Sequence, residues 1–282
     1  MKFDRRQCVI DFFNGNYSWW EQVYEDRLPR GFFSFEMIRR RQEVLQAAQS
    51  ILSSGRGLRV LECGCGPGGL LRDLPADQHH VYGLDINLRS LAAVREQSPW
   101  SMPVCGDIEQ LPFAAASFDM ILCVGVLSYL ADDEVAVKEM ARLLKPGGRL
   151  LVANPNLFMI EKLLDPFYLL AWPVQKLWRR LTRSRVERSG FTSGMIRRYR
   201  YRQLDRLYHD AGLIKISDLG TSYGPMRFWR RECFSVASSI RISESLVKLS
   251  CQRLFRGLIR VANHWVISLE KPARPAVEVL WP

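Results

Sequence analysis

The stretch Val60-Leu61-Glu62-Cys63-Gly64-Cys65-Gly66-Pro67-Gly68-Gly69 constrains this chain more than any other. It follows a short apolar run and leads into a helical pattern, so it reads as a glycine-rich turn between a strand and a helix. Glycine suits that place because the turn is tight and the backbone approaches a ligand closely. Further apolar runs continue the pattern: Leu58–Glu62, His80–Asp85, Met102–Cys105, Asp119–Val124 and Arg149–Ala153. Short strands separated by helical stretches imply a doubly wound, mostly parallel α/β sheet with helices on both faces. A helix over Gln203–Ala211 feeds a strand at Leu213–Leu219, and Trp265–Leu269 is the last strand. Residues 1–55 read as a helical N-terminal cap. The α/β domain takes 56–282, with helical lid insertions at about 157–202 and 221–262.

A glycine-rich turn alone does not separate a dinucleotide from other adenosine cofactors, so the discrimination lies in what surrounds it. Glu62, at the end of the first strand, can accept hydrogen bonds from a cationic amino group, where a pyrophosphate would be unwelcome. Asp85 ends the second strand about 20 residues beyond the loop, where a carboxylate binds ribose hydroxyls. Asp107 follows the third strand in Cys105-Gly106-Asp107-Ile108 and can accept from an exocyclic adenine amine. Three carboxylates on consecutive strand ends fit a cationic adenosine ligand better than a phosphorylated one.

These pieces resemble the class I S-adenosylmethionine-dependent methyltransferases. The matching segments are Glu62–Gly68, Gly83-Leu84-Asp85-Ile86-Asn87, Gly106 to Phe113, Ser117-Phe118-Asp119 and Leu143 to Leu150. The combination is most similar to the ubiquinone/menaquinone-biosynthesis (methyltransferase type 11) small-molecule branch, closely over residues 56–155 and loosely over 198–219. The resemblance implies a Rossmann-like methyltransferase fold with a seven-stranded sheet and S-adenosyl-L-methionine as cofactor. It puts Glu62, Gly64, Cys65 and Gly66 at the methionine end of that cofactor. Asp85 and Ile86 fall at the ribose and adenine, Asp107 and Ile108 at the adenine, and Val124 at the start of the loop after strand four. Where relatives often have a histidine in that loop, this chain has Ser128-Tyr129. No catalytic base is therefore assigned. His79, His80 and His264 precede strands, on the edge away from the ligand, and His209 reads as a surface residue.

Candidates for the lid and acceptor side are Tyr17, Trp20, Tyr129, Asn154 and Trp172. Cys63 and Cys65 lack the spacing and partners of a metal site, so no metal is expected. Seven cysteines at irregular spacing, with no apolar leader and no uninterrupted apolar span of 18 residues, are expected of a cytoplasmic protein. The formal net charge is +11, and ten basic residues stand against Glu187 alone between Lys176 and Arg202. That run follows a proline-broken apolar stretch holding Trp172 and Trp178, the composition of a segment lying on an anionic membrane surface, at the inner leaflet. The expected activity is O- or C-methylation of a lipophilic quinone-, lipid- or polyketide-like acceptor. The alternatives are an RNA methyltransferase gripping phosphates with residues 176–202, or a catalytically inactive partner subunit. Neither a recognisable RNA module nor a decayed glycine loop supports them, so nucleic acid is not the expected partner.

Overall fold

The computed structural model describes residues 5–25, 28–75, 77–171, 174 and 197–273. Seven strands form one sheet: β1 (Arg59–Cys63), β2 (His80–Asp85), β3 (Met102–Cys105), β4 (Phe118–Val124), β5 (Leu144–Pro155), β6 (Ile214–Gly220) and β7 (His264–Glu270). Their order across the sheet is β3-β2-β1-β4-β5-β7-β6. The first five strands are parallel, and β7 runs antiparallel between β5 and β6. The doubly wound α/β reading holds, and each expected strand is present within a few residues.

The central strands are apolar on both faces because helices cover both. In β4, Phe118, Met120, Ile121, Leu122 and Cys123 are all fully buried. Even-numbered residues of β5 (Leu150, Val152) join Tyr199, Leu204 and Tyr208 in one core cluster. The odd ones (Leu151, Ala153) join Val44, Ala48 and Leu52 in the other.

Local signals start the helices. Asn87 caps α4 (Leu88–Gln97) by accepting from Arg89 N–H, and Asp132 caps α5 (Asp133–Leu143) by accepting from Glu134 and Val135 N–H. Ahead of the sheet lie α1 (Arg5–Gly15), α2 (Tyr17–Glu25) and α3 (Phe32–Leu52). The second half of α3 packs into the sheet core.

Both insertions contain helices among the described residues. The first contains α6 (Ile160–Leu164), and its ends are pinned where Asn156 pairs with Tyr199. The buried Asn156 amide donates to the carbonyls of Phe158, Arg260 and Ala262, tying the two insertions together. After it comes α7 (Tyr201–Asp210). The second insertion holds a short hairpin (Arg227–Phe228 with Arg231–Glu232), α8 (Val236–Ser250) and a 3₁₀ stretch, Arg253–Val261. No helix among the described residues is long and apolar enough to cross a membrane.

Candidate functional site

The carboxyl ends of the parallel strands open into one cavity of about 820 Å³. Its floor is the glycine loop. Gly64 and Gly66 take positive φ (72° and 52°), which lets the chain turn sharply after β1. A Cβ on Gly64 would sit 2.3 Å from Val126 Cγ2 in the loop after β4, so the two loops touch with no room for a side chain.

Asp85 organises this floor. Its Oδ2 accepts from Gly66 N–H and its Oδ1 from Asn87 N–H, both at 2.8 Å. Burial pushes its carboxyl up from the usual range, and these hydrogen bonds oppose the shift. Ile86, Asp107, Ile108 and Val124 line the same cavity. Arg6 of α1 reaches Asp107 at 2.9 Å and Glu109 at 3.0 Å, so the N-terminal helix already engages the carboxylate expected at the adenine.

Glu62 lies one layer deeper. It borders a small adjoining cavity of about 30 Å³ that shares Gly64, Val124, Met37 and Arg40 with the large one. Burial, then Asp85, holds its carboxyl well above the usual range, and Oε2 is buried without a hydrogen-bond partner. An orphaned buried carboxylate beside a glycine cradle fits the cationic amino group of an amino-acid-bearing nucleoside. Cys65 turns from the large cavity toward Gly83 and borders only the small one. Cys63 and Cys65 pack on opposite faces of the sheet.

The roof is aromatic. Tyr17, Trp20 and Tyr129 all line the cavity. Phe13 meets the Tyr129 ring edge-on at 5.2 Å, and Trp19 stacks on Phe33 at 5.6 Å. Arg89 lies over the Tyr17 ring at 4.1 Å and Asn87 donates to Asn14, which docks the roof onto the end of β2. Trp172 lies outside the described residues.

Two placements differ from expectation. Asn154 is absent from the cavity wall: it points to the opposite face and donates to the Tyr208 hydroxyl at 2.8 Å. Its alternation with Ala153 along β5 leaves it no other side. His264 is not on the far edge. Because β7 is antiparallel, its first residue pairs with Pro155, the last residue of β5, and His264 lines the cavity.

Beside His264 stands a buried polar group that sequence reading missed. Glu36 accepts at Oε1 from Asn263 and Ser222 and lies 3.9 Å from His264 Nδ1. The signal was in α3: Glu36 and Arg40 occupy the same i, i+4 stripe as Val44, Ala48 and Leu52. Burial pushes the Glu36 carboxyl up to about 7, against those two donors, and pushes His264 down to about 3, with Arg40 and Arg198 acting in the same direction.

The two groups have opposite linkage signs. Glu36 holds its proton longer when folded, so its contribution is full below about 4.5 and is lost as pH rises to about 7. Folded His264 refuses a proton that the unfolded chain accepts, so its contribution is lost as pH falls from about 6.5 toward 3. Glu36→Gln mimics the protonated acid. It is expected to match the wild type at pH 4.5 and to exceed it at pH 8 by on the order of 2–4 kcal/mol, read by urea unfolding at both values.

The topology, with the glycine cradle and the acidic strand ends at one end of the sheet, is that of the Rossmann-like methyltransferase fold. Residues 61–152 match the family model described as "Methyltransferase domain". Over 113 residues it is 36% identical to a malonyl-[acyl-carrier protein] O-methyltransferase of Enterobacter lignolyticus, covering 40% of this chain and 44% of that protein. It is 33% identical over 109 residues to a demethylmenaquinone methyltransferase of Beutenbergia cavernae, covering 39% and 45%. The chain thus spans less than half the length of these relatives. Magnesium protoporphyrin IX methyltransferase from Synechocystis, solved with SAH bound, shares the fold over 94% of this chain and 99% of that one, with TM-score 0.60 and 16% identity.

Proposed function

We propose that this chain transfers a methyl group from S-adenosylmethionine to an oxygen or carbon of a lipophilic small molecule. One observation carries the reading: a single cavity joins the acidic strand ends Asp85 and Asp107 to a wall built of Phe12, Phe13, Trp20 and Phe32. When bound, the cofactor supplies an electrophilic methyl on a sulfonium. The chain's own part is to hold and enclose. Glu62 would take the amino group, Asp85 the ribose and Asp107 the adenine, after Arg6 yields or shares that carboxylate. The aromatic roof excludes water and seats an apolar acceptor. Glu36, on the cavity wall with its carboxyl raised to about 7, is a side chain there able to exchange a proton.

Access from an anionic membrane surface belongs to this reading. Leu163, Leu164, Leu169 and Leu170 are 40–66% exposed, and Phe228 and Trp229 at the hairpin tip are 62% and 54% exposed. Arg230 N–H donates to Asp165, which fastens the hairpin to the leucine-bearing segment. Such an apolar patch with flanking arginines favours a lipid interface. Most of the expected basic run, Trp178 included, lies outside the described residues. Arg197 is bound to Asp133 and Arg200 lies over the Phe158 ring at 5.4 Å, engagements that leave them poorly placed to grip RNA phosphates.

The test is radiolabelled methyl transfer from S-adenosylmethionine, offered in parallel with total lipid extract in anionic vesicles and with total RNA. Label is expected in the lipid fraction, with the protein floating on the vesicles. Label in RNA alone would reverse the assignment. Neither label nor binding of S-adenosylmethionine would end it.

A further inference from the structure

Of the cations lining the cavity, Arg6 is bound to Asp107 and Glu109, and Arg227 to Glu161 and Glu232. Arg40 and Arg198 are different. Arg40 is only 8% exposed, its Nε is buried with no hydrogen-bond partner, and no ion pair holds it among the described residues. Its Nη1 lies 3.0 Å from where a Cβ on Gly125 would be, immediately after β4. Among the described residues Arg198 donates a hydrogen bond to the Met159 sulfur at 3.5 Å, a weak acceptor, and forms no ion pair.

Both guanidiniums act on the same two groups, the Tyr129 phenol and His264. All four residues line the large cavity. Two carboxylates line the same cavity, Glu36 within the field of Arg40 and Glu161 within that of Arg198, but Glu36 is hydrogen-bonded to Asn263 and Ser222 and Glu161 lies 3.9 Å from Arg227. The His264 Nδ1 is buried without a partner. A desolvated guanidinium without a direct ion pair is costly, and a bidentate carboxylate is the partner that its planar fork fits best.

We propose that Arg40 and Arg198, with Tyr129 and His264 beside them, form a carboxylate-binding corner, so that the lipophilic acceptor is an acid. The substrate assignment rests on the methyl-transfer reading above; the corner itself does not. A carboxylate could also come from the methionine end of the cofactor, because Arg40 borders the small cavity that holds Glu62. Arg198 separates the two sources. It lines the large cavity with Met159 and does not border the small one.

The experiment is calorimetric titration of the full chain, saturated with S-adenosylhomocysteine, with decanoate, decanol and decylammonium. Decanoate is expected to bind at least tenfold tighter than decanol, with decylammonium weakest. Arg198→Gln and Arg40→Gln should each lower decanoate affinity about tenfold or more and leave decanol unchanged, while Arg198→Lys restores part of it. Thermal unfolding of each variant verifies that it is folded. Equal binding of the three probes, including binding of none, overturns the proposal, as does discrimination that survives in both variants. It is also overturned if Arg40→Gln weakens S-adenosylhomocysteine and Arg198→Gln leaves decanoate untouched, for the corner then serves the cofactor. If the wild type fails to bind S-adenosylhomocysteine, the methyl-transfer reading falls, and the same titrations on the unloaded chain still test the corner.

Discussion

Gly64→Val is expected to lower the affinity for S-adenosylmethionine at least 100-fold while the sheet stays folded. Two independent costs converge there. The residue sits at φ 72°, a region that a β-branched side chain enters only with strain of about 1–3 kcal/mol. Its Cβ would also lie 2.3 Å from Val126 Cγ2, so either the glycine loop or the loop after β4 must move. Both loops line the cavity, and Asp85 is hydrogen-bonded to the first of them through Gly66 N–H. Gly147→Ala is the control. Its φ is 79°, yet nothing lies within 4 Å of the added carbon, and the position is remote from the cavity. It should cost about 1 kcal/mol of stability and leave cofactor affinity unchanged. Calorimetry with S-adenosylhomocysteine reads both. A Gly64→Val protein that binds like the wild type would mean that the loop does not hold the cofactor.

Trp265→Ala should remove about 3–5 kcal/mol of stability, the largest effect expected from a substitution that does not touch the cavity wall. Trp265 is fully buried and donates from Nε1 to the Ile259 carbonyl at 2.6 Å. Its ring meets Tyr201 edge-on at 5.4 Å, and its backbone pairs with Asn154 on one side and Gly220 on the other. One side chain thus joins β7 to α7 and to the second insertion. Truncation leaves a cavity and an unmatched carbonyl together. Trp229→Ala, at a residue 54% exposed, should stay within about 0.5 kcal/mol. Urea midpoints at unchanged slope measure both. A small effect at Trp265 would show that the β7 region relaxes around the gap.

The local parts of this protein were legible in the chain itself. Strand runs, the glycine turn and the carboxylates Asp85 and Asp107 at strand ends follow from short-range rules, the alternation of apolar residues and the φ demand of a tight turn. The i, i+4 stripe of α3 carried Glu36 and Arg40 into the interior by the same kind of rule, and a charged residue on an apolar stripe is the signal that marks them. Asn154 needed one fact more, which face of β5 meets the cavity. His264 and Arg198 were beyond any local rule. The place of His264 depends on β7 entering antiparallel between β5 and β6, which brings its first residue beside Pro155. Arg198 comes to the cavity because Tyr199 pairs with Asn156, across more than forty residues of chain, and donates its hydroxyl to the Leu127 carbonyl. Such pairings are chosen by burial and hydrogen-bond satisfaction summed over the whole molecule. The glycine floor and its carboxylates were therefore written in the sequence, and the arrival of His264 and Arg198 at the cavity was decided only by the tertiary structure.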